Sequence, residues 1–316
     1  MAKYRSALPQ LGDKLWLTDG GIETTLIFNE GIDLPDFASF HLLRNTEGRA
    51  QLRRYFTTYA EIARRHELGL ILESATWRAS ADWGARLGYS PAALADANLE
   101  AIRLLEEVRG ELETDTTPMV ISGNVGPRGD GYVPDSSMSV EQAEEYHGRQ
   151  IAVFADSSAD MVCAATMNYV EEALGIVRAA QRAAMPVAIS FTVEIDGNLP
   201  TGQTLRSAIE LVDESTSAYP AYYMINCAHP THFDHVVSER GHWRDRIRGV
   251  RANASRRSHA ELNEATEVDA GNPVELAEQY ARLTDRLPHL NVMGGCCGTD
   301  HRHVEHIAET CSPLFT

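Results

Sequence analysis

Short apolar runs recur along the chain, and each ends in small or polar residues. Leu15-Trp16-Leu17-Thr18 runs into Asp19-Gly20-Gly21, and Leu68–Leu72 into Glu73-Ser74-Ala75-Thr76. Met119-Val120-Ile121 precedes Ser122-Gly123-Asn124, and Met161-Val162-Cys163 precedes Ala164-Ala165-Thr166. Pro186–Ile189 leads to Ser190-Phe191-Thr192, and Tyr222–Ile225 to Asn226-Cys227. Ile247–Val250 leads to Arg251-Ala252-Asn253, and Asn291-Val292-Met293 to Gly294-Gly295-Cys296. Runs apolar in the body, without alternation, fit parallel strands buried on both faces.

Between these runs the period changes to that of a helix. Leu52, Tyr55, Phe56, Tyr59, Ile62 and Ala63 fall on one helical stripe, as do Leu94, Ala97, Ala101, Leu104, Leu105 and Val108. Ser90-Pro91 and Asn272-Pro273 read as an N-cap followed by proline at the first helical position. Ser139 with Gln142 and Asn168 with Glu171 have capping-box spacing, and Asp300 is placed to cap a last helix carrying Val304, Ile307 and Ala308. Strands alternating with helices in this way predict βαβ units, and their number here predicts one (β/α)8 TIM barrel over residues 1–316, of class α/β. An open doubly wound sheet is the competing fold; it is less favoured because the glycines after the first strand do not form a G-x-G-x-x-G fingerprint.

Composition narrows the function. The 316 residues are 43% hydrophobic and 23% charged, ordinary globular material, with a formal net charge of −17 that argues against nucleic acid and anionic membrane as partners. No apolar run approaches the roughly 20 residues of a membrane span, and the first residues lack the pattern of a signal peptide. The five cysteines are odd in number and scattered, which fits a reducing compartment and predicts a cytoplasmic protein.

Chemistry concentrates in Gly294-Gly295-Cys296-Cys297-Gly298-Thr299. Adjacent cysteines seldom bridge one another, but glycines on both sides allow the backbone to bend until both thiolates face one ion. Cys227 closes another apolar run, and in a barrel the ends of strands six and eight meet on the same face. Three thiolates leave a tetrahedral Zn2+ with one open position, the mark of a catalytic site. The plainer alternative is a glycine-rich turn with inert buried thiols. The glycine frame and the matching position of Cys227 favour the metal. Cys163 and Cys311 lie in no motif and read as packing residues.

Asp19-Gly20-Gly21, Gly123-Asn124-Val125-Gly126-Pro127, Ile225-Asn226-Cys227 and Gly294–Thr299 resemble the ordered motifs of the zinc-dependent homocysteine S-methyltransferases, a family that includes betaine- and S-methylmethionine-dependent enzymes. The likeness runs from about Leu15 to about Ala308. It implies an S-methyltransferase of the EC 2.1.1 class that makes methionine. Cys227, Cys296 and Cys297 would hold the zinc and Asp19 would complete the catalytic group. Asp19, Gly20, Gly21, Ser74, Thr76, Asn226 and Trp77 would contact substrate, with Asp19 orienting the acceptor's amino group and neighbouring amides its carboxylate. The partners implied are a small-molecule thiol acceptor and a methyl donor, and a homo-oligomer is compatible with them.

One position departs from the family. Where its members carry a glutamate at the end of strand four, this chain has Ala165-Thr166. Either another acidic group has been recruited, with Glu23 and Glu73 nearest by position, or the acceptor is a different thiol or selenol. Homocysteine remains the leading acceptor. The donor must be a sulfonium or quaternary ammonium, since these leave as neutral groups, and Trp77, Trp83 and Tyr132 are candidates to hold such a cation. A zinc barrel with hydrolytic chemistry is the second function class; it more often uses histidine and carboxylate ligands. His229, His232 and His235 are expected in a solvated first helical turn, and the stretches Asn124–Tyr132 and Ala254–Gly271 as covers over the site.

Overall fold

The computed structural model describes residues 2–315 except 135, 136 and 266. Eight parallel strands close into one barrel in chain order. They are β1 Trp16–Leu17, β2 Gly69–Glu73, β3 Met119–Val125, β4 Met161–Met167, β5 Val187–Phe191, β6 Tyr222–Asn226, β7 Ile247–Ala252 and β8 Val292–Gly295. The helices around it are α1 Thr46–Arg65, α2 Ala81–Arg86, α3 Pro91–Leu112, α4 Val140–Ala155, α5 Val170–Arg182, α6 Leu205–Thr216, α7 Pro230–Val237, α8 His259–Asn263, α9 Pro273–Thr284 and α10 His301–Cys311. The expected (β/α)8 barrel is therefore present, and each apolar run is one of its strands.

Burial follows from the two periods. The helix stripes and the outward strand residues form one continuous apolar layer, including Tyr55, Phe56, Leu104, Phe154, Ile176 and Tyr280. Trp16, Ile71, Val120, Met161, Cys163, Tyr222, Met224 and Val292 fill the lower barrel interior. Gly249 leaves room there, because a Cβ at that position would collide with the Met224 side chain. The caps at Ser90, Asn272 and Asp300 form as expected, and Ser139 with Gln142 makes a full capping box. The box expected at Asn168 and Glu171 does not form. Helix α5 starts one residue later, with Tyr169 at the N-cap and no side-chain cap, because Asn168 Nδ2 donates instead to the carbonyl of Asp130.

The bottom of the barrel is closed by the N-terminal segment. Asp160, fully buried, accepts from Lys3 N and Tyr4 N through Oδ1, and from Arg109 Nη1 and Ile121 N through Oδ2, at 2.7–2.9 Å. Losing one partner of a buried ion pair costs about 3–5 kcal/mol. Asp160→Ala is expected to destabilise the fold by about that much in urea unfolding, far from the opposite, C-terminal mouth. A loss below about 1 kcal/mol, the scale of an exposed pair, would show that the clasp is solvated in solution.

Candidate active site

The open end of the barrel, where the strands terminate, holds a cavity of about 370 Å3 lined by residues from all eight strand ends and two covering loops. Cys227 follows β6 with φ +53°, a left-handed conformation that turns the chain sharply at the strand end. Its N–H donates to Arg251 O at 3.1 Å and so remains in register with β7. Cys296 and Cys297 follow β8, and Gly298 (φ +78°) reverses the chain behind them. The sulfurs of Cys227, Cys296 and Cys297 all lie within 4.8 Å of one another. Those of Cys227 and Cys296 are joined as a disulfide across 69 residues, whereas Cys297 is free. The bridge therefore links distant cysteines and not the adjacent pair. Cys163 and Cys311 are buried and unbridged, as expected of packing residues.

Hydrogen bonds to neighbouring loops hold this cluster. His259 Nε2 donates to Cys227 O at 2.6 Å, and its Nδ1 faces Glu194 Oε1 at 3.0 Å. Tyr132 stacks on the His259 ring, with centroids 4.0 Å apart, and its hydroxyl meets Cys297 Sγ at 3.3 Å. The two stretches expected to cover the site therefore meet across it through Tyr132 and His259. Asn226, beside Cys227, accepts from Thr166 N (3.0 Å) and Ser190 Oγ (2.7 Å) through Oδ1. Thr166 is itself left-handed (φ +63°), unusual for a β-branched residue, where β4 departs from regular register.

Asp19 is not free. Its Oδ1 accepts from Arg251 Nη2 at 2.5 Å and its Oδ2 from Tyr55 OH at 2.9 Å, deep in the wall. The Gly21 N–H is likewise turned away, donating to Thr299 O at 3.1 Å, so it does not form the anion-facing amide expected of it. Gly20 and Ser74 line the cavity. Thr76 does not: it is fully buried, shares a hydrogen bond with Ser74 Oγ (2.7 Å) and donates to Asn124 O (2.7 Å), tying the ends of β2 and β3 together. Trp77 lines the cavity, but its ring already carries a cation from the protein. Arg78 is sandwiched between Trp77 and Trp83, 4.0 and 3.9 Å from the ring centroids, and burial pushes its pKa down to about 10. Trp83 lies outside the cavity lining and so is not placed to hold a donor.

Burial drives the Glu23 and Glu73 carboxyls up to about 7, and both line the cavity. His229 and His232 are buried, contrary to the expected solvated turn. His229 caps α7 and burial lowers its pKa to about 4, while His232 Nε2 bonds to Arg256 O. Sequence reasoning missed Arg251, Tyr55 and His259. An arginine at a strand end, on the mouth side of β7, was the available signal for Arg251; nothing local marks the other two.

A family model for homocysteine S-methyltransferase matches residues 16–311. The chain belongs to the homocysteine S-methyltransferase family. It is 25% identical over 196 residues to the betaine–homocysteine S-methyltransferase 1 of Rattus norvegicus, a match covering 56% of this chain and 46%, about half, of that relative. The fold is also that of the homocysteine methyltransferase MmuM of Escherichia coli. Its metallated form aligns with TM-score 0.73 at 18% identity, covering 94% of this chain and 96% of that one. Its oxidised form aligns with TM-score 0.74 at 19% identity, covering 96% and 98%. No helix among the described residues is long and apolar enough to cross a membrane.

The buried Asp19–Arg251 pair gives a test of the cavity wall. Asp19→Asn leaves Arg251 without its counter-charge and is expected to cost about 3–5 kcal/mol in urea unfolding. Adding Arg251→Met should recover part of that loss, a coupling of at least about 1 kcal/mol in the double-mutant cycle. Strict additivity would show that the pair does not form in solution.

Proposed function

We propose that this protein is a zinc-dependent S-methyltransferase that moves a methyl group from a sulfonium or quaternary ammonium donor to the thiol of homocysteine. The observation that carries the reading is the convergence of Cys227, Cys296 and Cys297 at the mouth of a family barrel, their sulfurs within 4.8 Å. The donor set fits the metal: three sulfurs with no imidazole or carboxylate among them suit zinc in their reduced state and leave one coordination position open. The same softness suits a thiol substrate and disfavours the hydrolytic alternative.

Zinc held by Cys227, Cys296 and Cys297 would supply Lewis acidity that lowers the pKa of an acceptor thiol toward neutral pH. The new bond joins the thiol's sulfur to the methyl carbon. The bond that breaks joins the same carbon to the donor's positive sulfur or nitrogen, which leaves neutral with the electron pair. The protein's own groups arrange this step. His259 fixes the Cys227 carbonyl and Tyr132 lies against Cys297, so the two covering loops close over the cysteine cluster. The names of the rat and bacterial relatives both specify homocysteine, which supports it as acceptor.

Protein purified under reducing conditions is expected to contain a single zinc ion per chain by elemental analysis and to methylate homocysteine only when zinc-loaded. Cys227→Ala, Cys296→Ala and Cys297→Ala should each lose the metal while keeping the circular dichroism of a barrel, because the site stands above the packed core. Full zinc occupancy in all of these variants would contradict the assignment.

A further inference from the structure

Two charged side chains on the cavity wall are left unused by the zinc chemistry. Glu73 ends β2 and Arg251 lies near the end of β7, and both line the same cavity as the cysteines. Arg251 is paired in register with Asn226 on one side and Gly294 on the other, directly beside both cysteine-bearing strand ends. Its guanidinium is held along one edge only. Nε donates to Gly295 O at 3.1 Å, and Nη2 donates to Asp19 Oδ1 and Gly20 O at 2.5 and 3.3 Å. Nη1 donates to none of the described residues. Glu73 is 4% exposed and its Oε2 has no hydrogen-bond partner. Arg251 attracts it, but the two do not close an ion pair with each other.

Ser122 and Cys163 bear on the Glu73 carboxyl, but an unpartnered buried carboxyl oxygen is costly, and so is a guanidinium edge without an acceptor, unless a ligand completes them. Of the other acids lining the cavity, Asp130 and Asp269 accept hydrogen bonds from their own loops and Glu267 is exposed. Both oxygens of Asp19 have partners. Glu23 accepts from Ser39 Oγ at 3.2 Å, and the charge of Arg78 bears on it. What remains among the buried groups is one carboxyl and one guanidinium edge lining the same cavity beside the thiol site.

We infer that Glu73 and Arg251 together read the amino-acid end of the acceptor, Glu73 receiving its α-ammonium group and the free Arg251 edge its α-carboxylate. The inference rests on the thiol-methyltransferase reading above and adds to it the residues of this chain that hold the acceptor's amino-acid end. Asp19 acts in this arrangement as a positioning residue. It holds the guanidinium from one side so that the other edge faces the ligand.

Calorimetric titration of the reduced, zinc-loaded protein with a matched set of thiols tests this directly. Homocysteine carries both charged groups, 4-mercaptobutanoate lacks the ammonium, and 3-mercaptopropylamine lacks the carboxylate. Homocysteine should bind at least about tenfold more tightly than either, the scale of one charge-assisted hydrogen bond. Glu73→Gln should weaken homocysteine about 10- to 100-fold while leaving 4-mercaptobutanoate within about twofold. Arg251→Gln should do the converse, sparing 3-mercaptopropylamine. If Arg251→Gln fails to fold, the wild-type comparison and Glu73→Gln decide alone. Equal binding of homocysteine and 4-mercaptobutanoate by the wild type, or equal weakening of all thiols by Glu73→Gln, overturns the inference and leaves the methyltransferase reading standing. Absence of binding by every thiol overturns that reading itself, and the inference with it.

Discussion

Closure of the barrel between its first and last strands is the constraint on which the site depends. Thr18 N donates to Met293 O, Gly295 N to Asp19 O and Gly21 N to Thr299 O, at 2.8–3.1 Å, so the loop after β1 and the cysteine turn after β8 are laced together. Small residues make that approach feasible. A side chain at Gly21 would strike the Cys296 carbonyl, and one at Gly294 would strike Thr18. The seam places Asp19 beside the cysteine turn, and Asp19 in turn fixes Arg251. A local change at this seam would therefore disturb the cysteine cluster and the polar wall at once.

The division of labour in the barrel follows from depth. The lower interior is filled with apolar side chains and carries the fold. Above it, strand ends supply polar groups that satisfy one another across neighbouring strands: Ser74 with Thr76 and Asn124, Asn226 with Thr166 and Ser190. At this upper level Thr166 and Cys227 adopt left-handed conformations held by their neighbours.

Much of this was legible in the sequence. The apolar runs located every strand, because parallel strands buried on both faces need continuous hydrophobicity. Their exact lengths were less legible: β1 keeps only Trp16 and Leu17 as ladder residues, and β4 runs on through Ala164-Ala165-Thr166 to Met167. The convergence of the cysteines was legible because a glycine-framed pair and a third thiol close strands that end on the same face of a barrel. Roles set by distant partners were not. Asp19 reads as a free carboxylate until Arg251 and Tyr55, 232 and 36 residues away, are seen to occupy it. Trp77 and Trp83 read as cation holders, and they are, but their cation is the neighbouring Arg78. His229 and His232 read as solvated because burial by the loop at Arg256 leaves no mark in their own segment. The alanine at position 165 poses the question of how the acceptor's amino group is held. Glu73, unpaired on the cavity wall, offers the answer that sequence position alone could not separate from Glu23.

The central claim is that three thiolates hold one zinc ion with a position left for the acceptor's sulfur. X-ray absorption at the zinc edge tests it most directly, on reduced protein with and without homocysteine. The account predicts a first shell of three sulfurs at about 2.3 Å plus one lighter ligand, becoming four sulfurs when homocysteine is added. A first shell dominated by nitrogen and oxygen, or one whose sulfur count does not rise with homocysteine, would contradict it.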